Sequence, residues 1–134
     1  MVPVPVTLAS TVASTLLNLW LGGRIAALRK EFRVSVGDGG QEPLLRRMRA
    51  QANFIENAPF VLILLGGLEL SGANRAGLTA IAVIFIVARI LHAIGMDGSE
   101  KQRFRMFGMI GSSLVTLALV LWATSSVVLE VLGR

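Results

Sequence analysis

Four long apolar stretches, separated by short polar segments, make up most of the chain. They run over about residues 3–27, 44–70, 75–95 and 103–132. A helix needs about 20 apolar residues to cross the hydrocarbon core of a bilayer, and each stretch is long enough to do so. The pattern therefore predicts an all-α integral membrane protein. Residues 1–134 are expected to form one domain, a four-helix bundle without a separate soluble domain.

Turn-forming residues mark the ends of the predicted helices. The Gly-Asp-Gly-Gly run at residues 37–40 follows the first stretch, and Asp-Gly-Ser at residues 97–99 follows the third. Asn74 is placed to cap the third helix, and Ser99 with Gln102 matches a capping box for the fourth. Pro59 lies inside the second stretch, where we expect it to bend the helix.

The composition excludes several classes of protein. Hydrophobic residues make up 54% of the chain and charged residues 16%, whereas a soluble domain is about a quarter charged. The chain has no cysteine, so disulfides and thiolate metal sites are excluded. Its single histidine lacks partners for a zinc site, and no metal site is expected. Thiol chemistry would require a small molecule that brings the thiol.

Positive charge is concentrated in two of the predicted loops. The formal net charge is +5, and a nucleic-acid-binding protein could be as basic but would not be as apolar. By the positive-inside rule, we expect both basic loops in the cytoplasm and both termini outside. The cations of these loops are Arg24, Arg29, Lys30, Arg33, Arg46, Arg47 and Arg49, then Lys101, Arg103 and Arg105. The acidic residues Asp38, Glu42, Asp97 and Glu100 are expected to be solvated.

A polar stripe crosses the second predicted helix. At 100° per residue, Arg49, Asn53, Glu56 and Asn57 fall within about a quarter-turn of one another, and Gln51 points to the opposite face, towards another helix or subunit. Ionisable groups in a bilayer are costly, which favours a functional site whose ligand carries a carboxylate and an ammonium. The alternative is a hydrogen-bonded network that only holds helices together. In either case Glu56 is expected to be a buried carboxylate.

The third helix presents a second polar face. Arg89, His92 and Met96 lie on it at i, i+3 and i+7. Arg89 is interpreted as a snorkelling topology charge or, alternatively, as a ligand contact. His92 is interpreted as a core imidazole that makes one hydrogen bond, or as a ligand contact. Spacing alone does not rank Arg103 against its basic neighbours at the start of the fourth helix.

Several segments resemble the MAPEG family, the membrane-associated proteins of eicosanoid and glutathione metabolism. The run Arg-Ala-Gln-Ala-Asn-Phe-Ile-Glu-Asn-Ala-Pro at residues 49–59 is similar to the signature of its second helix. Residues 29–35 resemble the basic exit from the first helix, and residues 88–92 followed by Arg103 resemble the junction of the third and fourth helices. The Gly-Asp-Gly-Gly loop and residues 91–95 resemble the bacterial branch.

The resemblance implies a homotrimer that binds glutathione between subunits at the cytoplasmic side. Arg49, Asn53 and Glu56 would hold the glutathione backbone, with Glu56 on its ammonium. Arg29 and Gln51 would reach in from the adjacent subunit.

The resemblance implies that other residues contact the thiol end of glutathione. Arg103 matches the arginine that stabilises the glutathione thiolate in the family. The family commonly has tyrosines where this chain has Asn57, His92 and Met96, and His92 could replace one of their hydrogen bonds. Lys30 stands where the leukotriene synthase has a second catalytic arginine.

The resulting expectation is a glutathione transferase or peroxidase of a bacterial inner membrane. It would add glutathione thiolate to a lipophilic electrophile that arrives from the bilayer. Two alternatives remain open. One is a small proton-coupled multidrug transporter that depends on Glu56, and the other is a non-catalytic scaffold of the same fold.

Overall fold

A computed structural model describes residues 2–133, and in this part of the chain it contains four α-helices and no strand. They are α1 (Pro5–Phe32), α2 (Glu42–Leu70), α3 (Arg75–Gly95) and α4 (Gln102–Val131), with a short 3₁₀ turn at Ser99–Lys101 before α4. Each helix is long and apolar enough to cross a membrane. The predicted all-α architecture with four spans is therefore confirmed.

The helix ends follow local chemistry that hydropathy does not capture. Helix α1 continues to Phe32, past the end of its apolar run, and Arg33 closes it in the left-handed region at φ 56°. Asn74 caps α3 as expected, because its side chain accepts a hydrogen bond from Gly77 N at 2.9 Å. The capping box predicted at Ser99 is wrong: the N-cap of α4 is Lys101, and no side chain caps it.

The core contains side chains of all four helices, and α4 packs mainly on α3. Of the residues in the membrane-length segment of α4, 11% are buried, compared with 39% for α3. Glycine allows the two helices to approach closely. A Cβ built on Gly108 would overlap the backbone of Ala88 and His92, and one on Gly95 would overlap the backbone of Arg105. The most deeply buried large side chains are Phe85, Leu44, Leu65, Leu78, Leu119 and Val61.

We call one end of the bundle the basic end, where α1 leads into α2 and α3 into α4. An ionic cluster joins three helices there. Asp97 Oδ1 accepts hydrogen bonds from Arg24 Nη2 and, at 3.2 Å, from Arg47 Nε. Arg47 Nη1 also donates to the carbonyl of Arg24 at 3.0 Å. Asp97 is exposed, as expected, but it also pairs with two arginines, because the turn after α3 folds back onto α1 and α2.

We call the opposite end the terminal end, where α1 begins and α4 ends. A carboxylate of α2 caps α1 here. Glu69 accepts hydrogen bonds from the backbone N–H groups of Val6 (3.0 Å) and Thr7 (2.8 Å), and from Thr7 Oγ1 (2.8 Å). Arg75 Nε lies 3.7 Å away. Because the N-cap residue Val4 provides no side-chain cap, Glu69 satisfies donors that the start of α1 leaves open.

Candidate functional site

The polar stripe of α2 lies at the surface of the single chain. Arg49, Glu56 and Asn57 are exposed, and Asn53 is half-buried. Asn57 Nδ2 donates to the carbonyl of Asn53 at 2.7 Å. The prediction that Glu56 is buried is wrong for one protomer, because this face of α2 points away from its own bundle. The buried carboxylate is Glu69, at the terminal end.

Arg89 lies inside the bundle and links three helices. The residue is 3% exposed. Its Nη2 donates to Asn53 Oδ1 of α2 at 2.6 Å, and its Nη1 to Ser112 Oγ of α4 at 3.4 Å. Its guanidinium carbon lies 5.9 Å from the ring centre of Phe54. The interpretation of Arg89 as a snorkelling charge is wrong, since α3 turns this side chain towards α2.

The surroundings of Arg89 favour an additional anionic or polar partner. In residues 2–133 its hydrogen-bond acceptors are the neutral oxygens of Asn53 and Ser112, and its Nε is buried without a partner. A buried charge without an opposite charge is costly. The neighbouring His92 is 4% exposed, and its Nδ1 also lacks a partner in the described residues. Two buried polar groups on α3 thus have unused hydrogen-bonding capacity.

A groove of about 380 Å³ opens beside Arg89, between α2 and α4. It is lined by Asn53 and Asn57 of α2, Arg89 of α3, and Ser112, Ser113 and Thr116 of α4, among others. Amide, hydroxyl and guanidinium groups therefore line one part of a surface that is otherwise apolar. Such a combination fixes the orientation of a small polar ligand through a few convergent groups.

Arg103 lies in a different cavity at the basic end. This cavity of about 580 Å³ is lined at its polar end by residues such as Arg103 and Arg105, and it continues along α4 to Met106 and Ile110. Met109 lines both this cavity and the groove at Asn53. The single chain therefore places Arg103 on the same side of α4 as the groove, with Met109 between them.

Arg29 and Gln51 lie on the other side of the stripe, where α1 meets α2. Gln51 Nε2 donates to Asn18 Oδ1 of α1 at 3.1 Å, so Gln51 meets another helix, as its spacing predicts. Arg29 Nη1 donates to the carbonyl of Ser35 at 3.2 Å, and its Nη2 lies 3.8 Å from Met48 Sδ. The structure does not bring these two residues to Asn53 within one protomer.

Sequence reasoning missed the contribution of Ser112. Its signal was present, because Gly108 and Ser112 form a small-xxx-small pair, and Ser112 Oγ donates to the carbonyl of Gly108 at 2.8 Å. The hydroxyl oxygen of Ser112 remains available to Arg89. Within residues 2–133, no three His, Asp or Glu side chains come together as a metal site would require.

Comparison with known proteins gives concordant matches. The sequence model of the MAPEG family matches residues 7–125. The chain is 28% identical over 110 residues to "Inner membrane protein YecN" of Escherichia coli strain K12, covering 82% of this chain and 83% of that protein. The protein of the same name from Escherichia coli O6:H1 strain CFT073 matches with the same identity and coverage.

Proposed function

This chain belongs to the MAPEG family, whose sequence model covers residues 7–125, and from that premise we propose that it is a membrane glutathione transferase or peroxidase. It would hold glutathione as the thiolate for attack on a lipophilic electrophile that reaches it from the bilayer. The family suggests a glutathione-related function in a membrane, and the chain has four membrane-length helices to support it.

The exposed charged face of α2 carries the proposal. Arg49 and Glu56 lie at the protomer surface on a helix of membrane-spanning length. An unpaired carboxylate and guanidinium are costly in a bilayer. A second protomer together with a zwitterionic ligand would satisfy both charges. We therefore propose a homotrimer in which this face lies between subunits.

The chemistry of glutathione fits the groups on this face. Its two carboxylates match Arg49 and the amide of Asn53, and its ammonium matches Glu56. Arg89 holds Asn53 in place through the 2.6 Å hydrogen bond and adds positive charge behind it. The unpartnered Arg89 Nε and His92 Nδ1 mark where further hydrogen bonds would form.

A neighbouring protomer would complete the site. Arg29 and Gln51 lie on the α1 side of α2, away from Asn53 of their own chain. A trimer would present them to the ligand of the adjacent subunit. Gln51 uses its Nε2 on Asn18, so its carbonyl oxygen remains free to accept a hydrogen bond from the ligand.

Glutathione supplies the reacting thiol, and we assign the positioning of its thiolate to Arg103. A cation beside a thiol favours the thiolate, which is the nucleophilic form. The cavity at Arg103 continues to Met106 and Ile110, so an apolar electrophile could approach along α4. With the basic end in the cytoplasm and both termini outside, glutathione would enter from the cytoplasm and the electrophile from the membrane.

The test compares Arg103→Ala with Arg105→Ala in purified protein. Glutathione binding, thiolate absorbance and conjugation of an aryl halide are measured for both variants. We expect Arg103→Ala to keep glutathione binding but lose the thiolate signal and at least about tenfold in rate. Arg105→Ala is expected to keep both.

Other outcomes would identify the alternatives. A trimer that binds no glutathione at millimolar concentration would indicate a scaffold and refute the proposal. Proton-driven efflux from vesicles that is lost in Glu56→Gln would indicate a transporter. A normal thiolate signal in Arg103→Ala would reduce Arg103 to a topology charge.

A further inference from the structure

A large cavity separates α2 and α4 at the terminal end. Its volume is about 820 Å³, compared with about 380 Å³ for the groove at Asn53. Ile63 and Leu64 of α2 and Val127 of α4 belong to its apolar walls, and Ser126 and Glu130 of α4 belong to its polar lining. The cavity is therefore amphiphilic, and it lies at the opposite end of the bundle from Arg103.

Two local features keep this space open. Gly67 lines the cavity, and a Cβ built on it would meet nothing within 4 Å. On the other side, the indole of Trp122 packs against α3, where a Cβ on Gly77 would lie 3.1 Å from Trp122 Cη2. Trp122 thereby forms a fixed wall of the cavity, and the missing side chain at residue 67 leaves room in front of it.

The polar lining presents more acceptors than donors. Ser71 Oγ donates its proton to the carbonyl of Leu68 at 2.8 Å, and Ser126 Oγ donates to the carbonyl of Trp122 at 3.0 Å. Both hydroxyls therefore present only lone pairs to the cavity. The other polar side chains of the lining are the carboxylate of Glu130, which is an acceptor, and the indole of Trp122, whose N–H is a donor. A ligand head group that donates hydrogen bonds would match the acceptors, which outnumber the donor.

Electrostatics favour a cation at the same place. Glu130 lies in the last turn of α4, and α2 also ends here, at Leu70. Helix C-termini carry partial negative charge, so the exposed carboxylate of Glu130 and these two termini together attract a cation. Within residues 2–133 Glu130 forms no ion pair, and Arg75, at the start of α3, lies 3.7 Å from Glu69.

We infer that this cavity binds an amphiphile with a protonated amine at its head and an aliphatic body. The ammonium would lie against Glu130 and the serine oxygens, and the aliphatic body would lie between Ile63, Leu64 and Val127. This site does not depend on the proposed glutathione chemistry, because it shares no residue with that site.

The two tryptophans allow a direct test. The chain has Trp20, Trp122 and no tyrosine, so a Trp20→Phe variant has Trp122 as its dominant fluorophore. Purified protein is titrated with a bromine-labelled dodecylamine and, separately, with the alcohol of the same chain length. We expect saturable quenching of Trp122 fluorescence by the amine, at about fivefold lower concentration than by the alcohol.

Further substitutions in the Trp20→Phe variant test which residue causes the preference for the amine over the alcohol. Glu130→Gln is expected to abolish the difference between amine and alcohol, and Glu100→Gln, at the basic end, to preserve it. Gly67→Leu places a side chain in front of Trp122 with Glu130 intact, and it should weaken saturable quenching by both probes. Equal potency of amine and alcohol, an unchanged preference in Glu130→Gln, or undiminished quenching in Gly67→Leu would each overturn the inference.

Discussion

Arg89 is more deeply buried than arginine side chains usually are. Lysine and arginine normally keep their charge in water and bury only the stem, but here the guanidinium meets Asn53, Ser112 and the ring of Phe54. A buried cation with neutral partners contributes little to stability. The benefit of Arg89 therefore lies in the ligand-binding face that it supports, rather than in the fold.

Replacing Arg89 should separate these two roles. In Arg89→Met we expect an unchanged or higher melting temperature without ligand, because a costly buried charge is removed. Glutathione affinity should fall by about tenfold, the effect of one hydrogen bond to a charged group. Calorimetry measures both quantities, and Arg105→Met, at an exposed position, serves as the control. A lower melting temperature with unchanged affinity would make Arg89 structural.

Spacing was sufficient to place residues within one helix, but not between helices. Arg49, Asn53 and Glu56 do share a face of α2, as 100° per residue requires. The pairing of Arg89 with Asn53 depends on how α3 is rotated against α2, which periodicity does not specify. For the same reason the sequence suggested Glu56 as the buried carboxylate, whereas the start of α1 lies over Glu69.

At the scale of helices, the α3–α4 contact depends on glycine. Gly95 and Gly108 let the backbones approach until no Cβ would fit between them. In a membrane, where lipid tails are as apolar as leucine, close van der Waals packing of this kind drives helix association. Hydropathy correctly predicted the presence and order of α3 and α4. The residue types at 99–102 suggested a capping box where the structure has a 3₁₀ turn at Ser99–Lys101, because the two features use the same residue types.

A methyl group at this contact should be costly. In Gly108→Ala the new Cβ would press on the backbone of Ala88 and His92, and we expect a loss of about 1–3 kcal/mol of stability. The measurement is the free energy of unfolding in detergent, followed by helical circular dichroism. Gly23→Ala is a matched control, because nothing lies within 4 Å of its Cβ. A neutral Gly108→Ala would show that α4 can move away without cost.

At the scale of the whole molecule, charge is distributed unevenly between the two ends. The basic end combines the ionic cluster of Asp97 with the cations of two loops. The terminal end has Arg75 beside Glu69. The orientation expected from the positive-inside rule places the basic end in the cytoplasm.

Because the chain lacks cysteine, single cysteines can report this orientation. Ser71→Cys, between α2 and α3, should react with a membrane-impermeant maleimide on intact spheroplasts. Ser35→Cys, between α1 and α2, should react only after the membrane is opened. Both serines are exposed, so accessibility of the side chain does not separate them. The reverse labelling pattern would place the basic loops outside.

The carboxylate of Glu69 at the start of α1 has a mechanical consequence. Its three hydrogen bonds to Val6 and Thr7 fix the height of α1 relative to α2. Sliding one helix past the other by a single residue, about 1.5 Å of rise, would break them. A change in bilayer thickness must therefore be accommodated by tilting both helices together or by deforming the surrounding lipid.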